Sequence, residues 1–405
     1  MKKTAFIVGA GFSAALTNVD DPLIGSQSLP TLVGLGQELL THIKKQLDAN
    51  PTVFNSFSQH TKNEGLEALS CYFSSMSRKH FDFEQFISLI AFRASLFKTN
   101  LRDDFPDLPG TDPSVLRFIL HGLYDFFATT LSYSGASLAQ RNFIYKVMDS
   151  ARASALQGHF HRIRATGQAT FISFNYDGIL EALLSHALNQ QIGQWPYWPE
   201  ISHGIPLVKP EDLVKTHQFI LHDKIVEPIK VIKPHGSMHF FPVREEMRSI
   251  LGGPSMVALS PVLDIGFDSK TMKRDIEELH AWQYISSTPM IVPPVMNKDS
   301  YLTSDYFREM LRLTFKIASE ADHVVVLGFS LPPSDLHINA VFESIKWEGK
   351  RVSLCYKGSA NDTTLDNWKR VTNNASVDVL TDQGFDFSST ESIDLFWSNF
   401  CLLNT

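Results

Sequence analysis

The sequence predicts an α/β protein: a Rossmann-like, doubly wound, mostly parallel sheet with a large helical insertion. Three observations lead there. Short, largely apolar runs recur and stop abruptly at glycine, proline or small polar residues. Patterns of helical period lie between several of them. One long stretch near the N-terminus shows helical period alone. Apolar runs of about four to seven residues suit strands buried on both faces, as in a parallel sheet covered by helices. Their alternation with helices is the mark of a doubly wound domain.

In chain order the expected strands are Ala5–Val8 before Gly9, Ala169–Phe174 before Asn175, and Ile229–Ile232 before Lys233-Pro234-His235. Met290–Val292 then precedes Pro293-Pro294, His323–Leu327 precedes Gly328-Phe329-Ser330, and Val352–Tyr356 and Val377–Leu380 follow. Helical patterns occupy Gly178–Leu188, Ser304–Ser319 and Ser334–Lys346. From about Thr31 to Ala165 the apolar positions fall at helical spacing, as in Leu32, Leu35, Leu39, Leu40, Ile43 and Leu47, and again in Phe81–Phe97, Ser114–Leu131 and Ala139–His161. The expected division is therefore residues 1–30 with 166–405 as the Rossmann-like, doubly wound domain, and 31–165 as a helical insertion. Core packing accounts for the insertion's many phenylalanines. The stretch Gln190–Pro228, rich in Trp, Pro and His, is expected to be irregular and to cover the ligand edge of the sheet.

Composition narrows the class. The chain has 405 residues, 43% hydrophobic, 20% charged, with a formal net charge of −7. It is too apolar to be disordered and too acidic for a broad nucleic-acid footprint, so direct nucleic-acid binding is not expected. No apolar run reaches the roughly 18 to 20 residues that cross a bilayer, so no membrane association is expected. Cys71, Cys355 and Cys401 are three scattered thiols with no CxxC pair, which argues against a disulfide framework and a four-cysteine zinc site. The opening MKKTAFIVGAGFSAAL looks like a secretory leader and equally like a first strand entering a glycine turn.

In an open α/β sheet the ligand lies beyond the carboxyl ends of the strands, at the switch point of the topology. Four strand ends carry residues suited to that place. Gly9-Ala10-Gly11-Phe12-Ser13 can bring backbone and a hydroxyl to a pyrophosphate at a helix start, although Ala14 replaces the third glycine of GxGxxG. A tight strand-to-helix turn explains it about equally well. In Phe174-Asn175-Tyr176-Asp177, Asn175 can hold a ribose hydroxyl or a water, or can be a turn residue; Asp177 is best explained as a helix cap. In Lys233-Pro234-His235-Gly236-Ser237, His235 on a glycine turn can accept a proton near neutral pH. His235 and His239 have HxxxH spacing, but Pro234 and Gly236 oppose a helix and no third ligand is evident, so no metal is expected. In Gly328-Phe329-Ser330-Leu331-Pro332-Pro333-Ser334-Asp335, Ser334 and Asp335 can cap the next helix, which leaves Gly328-Phe329-Ser330 unexplained by capping.

Together and in this order, these segments resemble the sirtuin-like family of NAD-binding proteins. GAGFS at 9–13 is similar to its GAGxS turn, with Leu29-Pro30 similar to the proline segment after it. FNYD at 174–177 is similar to QNID, KPHGS at 233–237 to the catalytic HG turn, and GFSLPPSD at 328–335 to the late GTSL-type contact. Asp82-Phe83-Glu84-Gln85-Phe86 resembles an Asn/Asp-Phe-Glu helix of bacterial members. The departures are the absent zinc ribbon, a reduced GIPDFR-like stretch, Tyr176 in place of isoleucine, and the helical insertion. With these departures the chain resembles the bacterial sirtuin-like NADases of anti-phage defence.

That resemblance implies a cytoplasmic NAD+ glycohydrolase, with NAD+ as substrate and no metal. Asn175 and His235 would be catalytic. Gly9, Ala10, Gly11, Phe12, Ser13, Asp177, Gly236, Gly328, Phe329 and Ser330 would bind the dinucleotide. It also implies a homo-oligomer, gated activity and a possible HerA-type ATPase partner. An NAD+ or ADP-ribose sensor or scaffold without turnover, and a zinc-free protein deacylase, are the alternatives. Removal of the first sixteen residues would delete the glycine turn, which favours the first-strand account of the opening.

Overall fold

A computed structural model describes residues 3–17, 19–21, 25–27, 32–49, 54–76, 113–130, 169–176, 180, 181, 184, 201–202, 207–208, 229–237, 240–242, 256–258, 290–292, 304–333, 335–356, 363–373 and 375–381. Asp177, Ser334, Asp82–Phe86, the Phe81–Phe97 and Ala139–His161 patterns and most of Gly178–Leu188 lie outside them. The chain forms two compact units: Met1–Leu29 with Leu131–Ile291 and Ser300–Thr405, and Pro30–Thr130 with Val292–Asp299. Among the described residues no helix is long and apolar enough to cross a membrane.

The first unit is built on seven strands: β1 (Thr4–Val8), β4 (Ala169–Ser173), β5 (Ile201–Ser202), β7 (Ile229–Ile232), β10 (His323–Leu327), β11 (Arg351–Cys355) and β12 (Ser376–Thr381). Their order is β12-β11-β10-β1-β4-β7-β5, and every pairing is parallel. The chain leaves β1 toward β4 and β7, then returns to build β10, β11 and β12 on the other side. This is a doubly wound, Rossmann-like sheet. Its switch point falls between β1 and β10, where Thr4 pairs with His323 and Val8 with Leu327 in unbroken register.

Strand sequence explains the burial. β10 reads HVVVL with all five residues buried, and β1 is buried from Ala5 to Val8. Alternate residues Ala5, Ile7, Val324, Val326, Val352 and Leu354 join one core with Phe342, Trp347 and Trp368. Phe6, also fully buried, stacks on Phe171 at 4.9 Å between ring centres. Fully burying each such side chain stabilises the fold by about 1.5–3 kcal/mol.

Helix α1 (Ala10–Thr17) follows β1 directly, and α5 (Asp305–Glu320), α6 (Leu336–Glu343) and α7 (Thr364–Val371) lie between the later strands. Helix α5 buries Tyr306, Phe307, Met310, Thr314 and Ala318, a stripe at intervals of one, three and four. The described residues of this unit also form two smaller sheets: β2 (Val19–Asp21) pairs antiparallel with β3 (Gly25–Gln27), and β6 (Leu207–Val208), β9 (Met256–Ala258) and β8 (Phe240–Pro242) form a mixed sheet.

Two expectations change. Met290–Val292 is not a strand of the main sheet; Ile291 makes a single antiparallel bridge to Gly236. The stretch expected to be irregular supplies β5, the edge strand beside β7, as well as β6. Two-residue strands carry too little pattern to be read from sequence.

Within the second unit, α2 (Leu32–Ala49), α3 (Gln59–Met76) and α4 (Pro113–Thr130) bury Leu39, Ile43, Phe54, Leu69, Val115, Phe118, Ile119, Leu123 and Phe126. On α4 these positions recur at intervals of one, three and four, one face of a helix. Phe54 meets Phe118 at 5.1 Å, so these phenylalanines pack as core.

Candidate active site

The parallel register brings the carboxyl ends of β1, β4, β7 and β10 to one edge of the sheet, and all four motifs start there. At the switch point two glycine segments touch. The Gly9 amide donates to Leu327 O at 2.9 Å and the Gly11 amide to Gly328 O at 3.1 Å. A Cβ on Gly9 would lie 2.5 Å from Gly328 O, and one on Gly328 would lie 2.6 Å from Phe12 N. Gly328 also holds φ +65°, a left-handed backbone that strains other residues. Gly9, Gly11 and Gly328 are therefore required for backbone to pack on backbone. The neighbouring Ala10 is exposed and Phe12 is buried.

Phe329 continues the junction: its ring stacks on Phe174 at 4.2 Å and 9°. Trp368 Nε1 donates to Phe329 O at 3.0 Å, and Asn367 Nδ2 donates to Ser330 O at 3.3 Å. Ser330 is itself exposed.

Asn175 stands beside this junction, 7% exposed. Its Nδ2 donates to Gly9 O at 3.0 Å and to Ser13 Oγ at 2.8 Å. The Ser13 hydroxyl, expected at a pyrophosphate, thus fixes the carboxamide. Both amide protons being engaged, Asn175 Oδ1 is buried without a hydrogen-bond partner among the described residues. A buried acceptor left unpaired costs about 1–3 kcal/mol, which a ligand hydroxyl would recover.

His235 sits on the turn after β7, 6% exposed. Its ring meets Phe174 edge-on at 5.1 Å and Tyr176 at 6.4 Å, so the residues on either side of Asn175 flank the imidazole. Ser237 Oγ donates to Tyr176 O at 3.3 Å, joining the two segments. Gly236, at φ +78°, admits the strand-like segment at 290–291: a Cβ there would lie 1.9 Å from Met290 O. Gly236 shapes the turn through that close approach.

Beneath the turn, Lys233 Nζ donates to Glu181 Oε1 at 2.8 Å, with 0% and 1% of their side chains exposed. Tyr306 Oη donates to Lys233 O at 3.0 Å; burial first, and the Glu181 carboxylate second, push its phenol far above the ordinary range. This ion pair and its tyrosine tie the segment after Asn175 to the turn carrying His235. Sequence reasoning passed over all three, since 52 residues separate the charged partners.

Asp335, expected as a cap, takes the N-cap position of α6 but makes no side-chain cap hydrogen bond. Its Oδ1 lies 3.6 Å from His235 Nε2 instead, and the His337 ring lies 5.4 Å from the His235 ring. Among the described residues, donor-type atoms of His235, Asp335 and His337 lie within 4.8 Å of one another. The Asp335-x-His337 spacing was the available signal.

With this geometry in hand, comparison with known proteins adds little. No family model matches the chain, and no curated protein matches it. A solved structure of Sir2Tm bound to a propionylated peptide aligns over 98% of this chain and 93% of its own, with a TM-score of 0.33 and 11% identity. The chemistry rests on this chain's own residues.

Of the expected site residues, Gly9, Gly11, Phe12, Ser13, Asn175, Gly328 and Phe329 form one contiguous junction. His235 reaches it through Phe174, and Gly236 lies in the same turn as His235.

Proposed function

We propose that this edge of the sheet cleaves NAD+ to nicotinamide and ADP-ribose. The observation that carries the proposal is Asn175: a nearly buried carboxamide held by both amide protons, its Oδ1 without a hydrogen-bond partner among the described residues, beside an imidazole on the neighbouring strand end. The motif resemblance supplies the substrate. Gly9 to Ser13, Gly328, Phe329 and Ser330 would border the dinucleotide, with Asp177 at the margin, and the Asn175 Oδ1 would accept a ribose hydroxyl or the attacking water.

Chemically the step needs little. The C1′–N bond breaks and its electrons neutralise the pyridinium nitrogen, giving nicotinamide. Water forms the new bond to C1′, and its proton passes to His235. Loss of a general base costs roughly 10²- to 10⁴-fold in rate. His235→Ala and Asn175→Ala should each lower nicotinamide release by at least about 10²-fold while the melting temperature stays close to wild type. Retention of a tenth of the rate by either variant would remove its assigned role.

The resemblance and the destructive nature of the reaction also support a gated, NAD-depleting role in anti-phage defence. The protein would act in the cytoplasm as a homo-oligomer, with a HerA-type ATPase as possible partner. Nicotinamide release measured with and without the partner tests that part. A sensor that binds NAD+ without turnover is the second reading, favoured if calorimetry finds binding and no nicotinamide forms.

A further inference from the structure

Aspartate is among the best N-cap residues because its carboxylate satisfies amides at the helix start. Asp335 holds that position at φ −81° and ψ 56°, yet its side chain makes no cap hydrogen bond. The carboxylate is turned to His235, with Oδ1 3.6 Å from Nε2. That is longer than an N–H···O hydrogen bond, which closes at about 2.7–3.2 Å. It is close to another spacing. Ligand atoms held about 2.0–2.2 Å from one tetrahedral zinc ion stand about 3.4 Å apart.

A third donor lies close by. His337, two residues beyond Asp335 on the first turn of α6, brings a ring nitrogen so that all three ligand-type atoms lie within 4.8 Å of one another. His235 is 6% exposed and Asp335 4%, so two of the three donors sit in a largely dry setting. Two loops far apart in sequence, the β7–His235 turn and the start of α6, converge to make the group.

We propose that His235, Asp335 and His337 bind a divalent transition-metal cation of the zinc class through three protein ligands, with the fourth position open. Two imidazoles and a carboxylate suit zinc, whereas calcium and magnesium prefer oxygen ligands. A consequence rests on the NAD-cleavage reading: an ion on His235 occupies the ring needed as base, so the cation holds the enzyme off.

The test uses the full chain, stripped with a chelator and titrated with zinc chloride alone by calorimetry. The expected result is one zinc per chain, weakened at least about tenfold in His337→Ala and in Asp335→Asn. Thermal melts without metal confirm that both variants fold. His239→Ala should leave the isotherm unchanged. Absence of stoichiometric binding, binding indifferent to His337→Ala, or binding lost in His239→Ala would each overturn the site. In parallel, zinc should suppress nicotinamide release by the wild type more than by His337→Ala. An intact zinc isotherm from a protein that leaves NAD+ uncleaved would defeat the functional reading and keep the metal site.

Discussion

The carboxyl ends of β1 and β10 and those of β4 and β7 lie along one edge of the same sheet, but the sequence equips them differently. At the first pair, glycines close backbone upon backbone, with the Gly9 amide on Leu327 O and Gly328 O 2.5 Å from where a Gly9 side chain would begin. At the second pair, buried polar groups converge: Asn175, His235, and the Glu181–Lys233 ion pair below them. Glycine-rich turns alone therefore say little about a ligand, since here their freedom is taken up by the protein itself. The chemistry-bearing information sits in the polar ends.

Variants can break this contrast, and the largest effect on stability should come from the polar side. Glu181→Ala removes the carboxylate 2.8 Å from Lys233 Nζ, whose side chain is 0% exposed, and should cost about 3–5 kcal/mol, read by denaturant unfolding. A cost below about 1 kcal/mol would mean that the pair does not anchor the turn.

On the glycine side, Gly328→Ala should cost about 3 kcal/mol, combining left-handed strain with collision against Phe12 N and Gly11. Gly349 shares the backbone state, φ +75°, but has open space at its Cβ position, so Gly349→Ala should cost only about 1 kcal/mol. Equal losses at the two glycines would show that strain, not close packing, explains the switch point.

The smallest effect should be at the exposed pair Lys3–Glu320, 3.0 Å apart with side chains 59% and 47% exposed. The Lys3 hydrogen bond, more than its charge at a distance, lowers the Glu320 carboxyl below its ordinary value. A depressed carboxyl contributes stability above its unfolded pKa and loses it as pH falls through the folded value. Lys3→Met should cost less than about 1 kcal/mol at neutral pH and nothing measurable in acid.

Much of this was legible in the sequence. The runs Ala5–Val8, Ala169–Phe174, Ile229–Ile232 and His323–Leu327 announced strands because both faces are buried and no polar alternation interrupts them. Asn175 and His235 stood out because they lie just past such runs, where an open sheet binds its ligand, although a turn residue explained Asn175 equally well. Other features were hidden for physical reasons. Ile291 follows a strand-like pattern, but Gly236 claims it for one bridge. Asp335 reads as a cap from its neighbours; only the fold brings His235, a hundred residues earlier, to its carboxylate. Glu181 and Lys233 look like ordinary charged residues until both are buried.

The central claim, that the β4 and β7 ends carry out NAD+ cleavage, is tested most directly by quantifying nicotinamide released from NAD+ by wild type and Asn175→Ala at matched melting temperatures. The account predicts release by the wild type and a loss of at least about 10²-fold in the variant. Equal release by both proteins, or NAD+ left intact by the wild type with and without the proposed HerA-type ATPase, would contradict it.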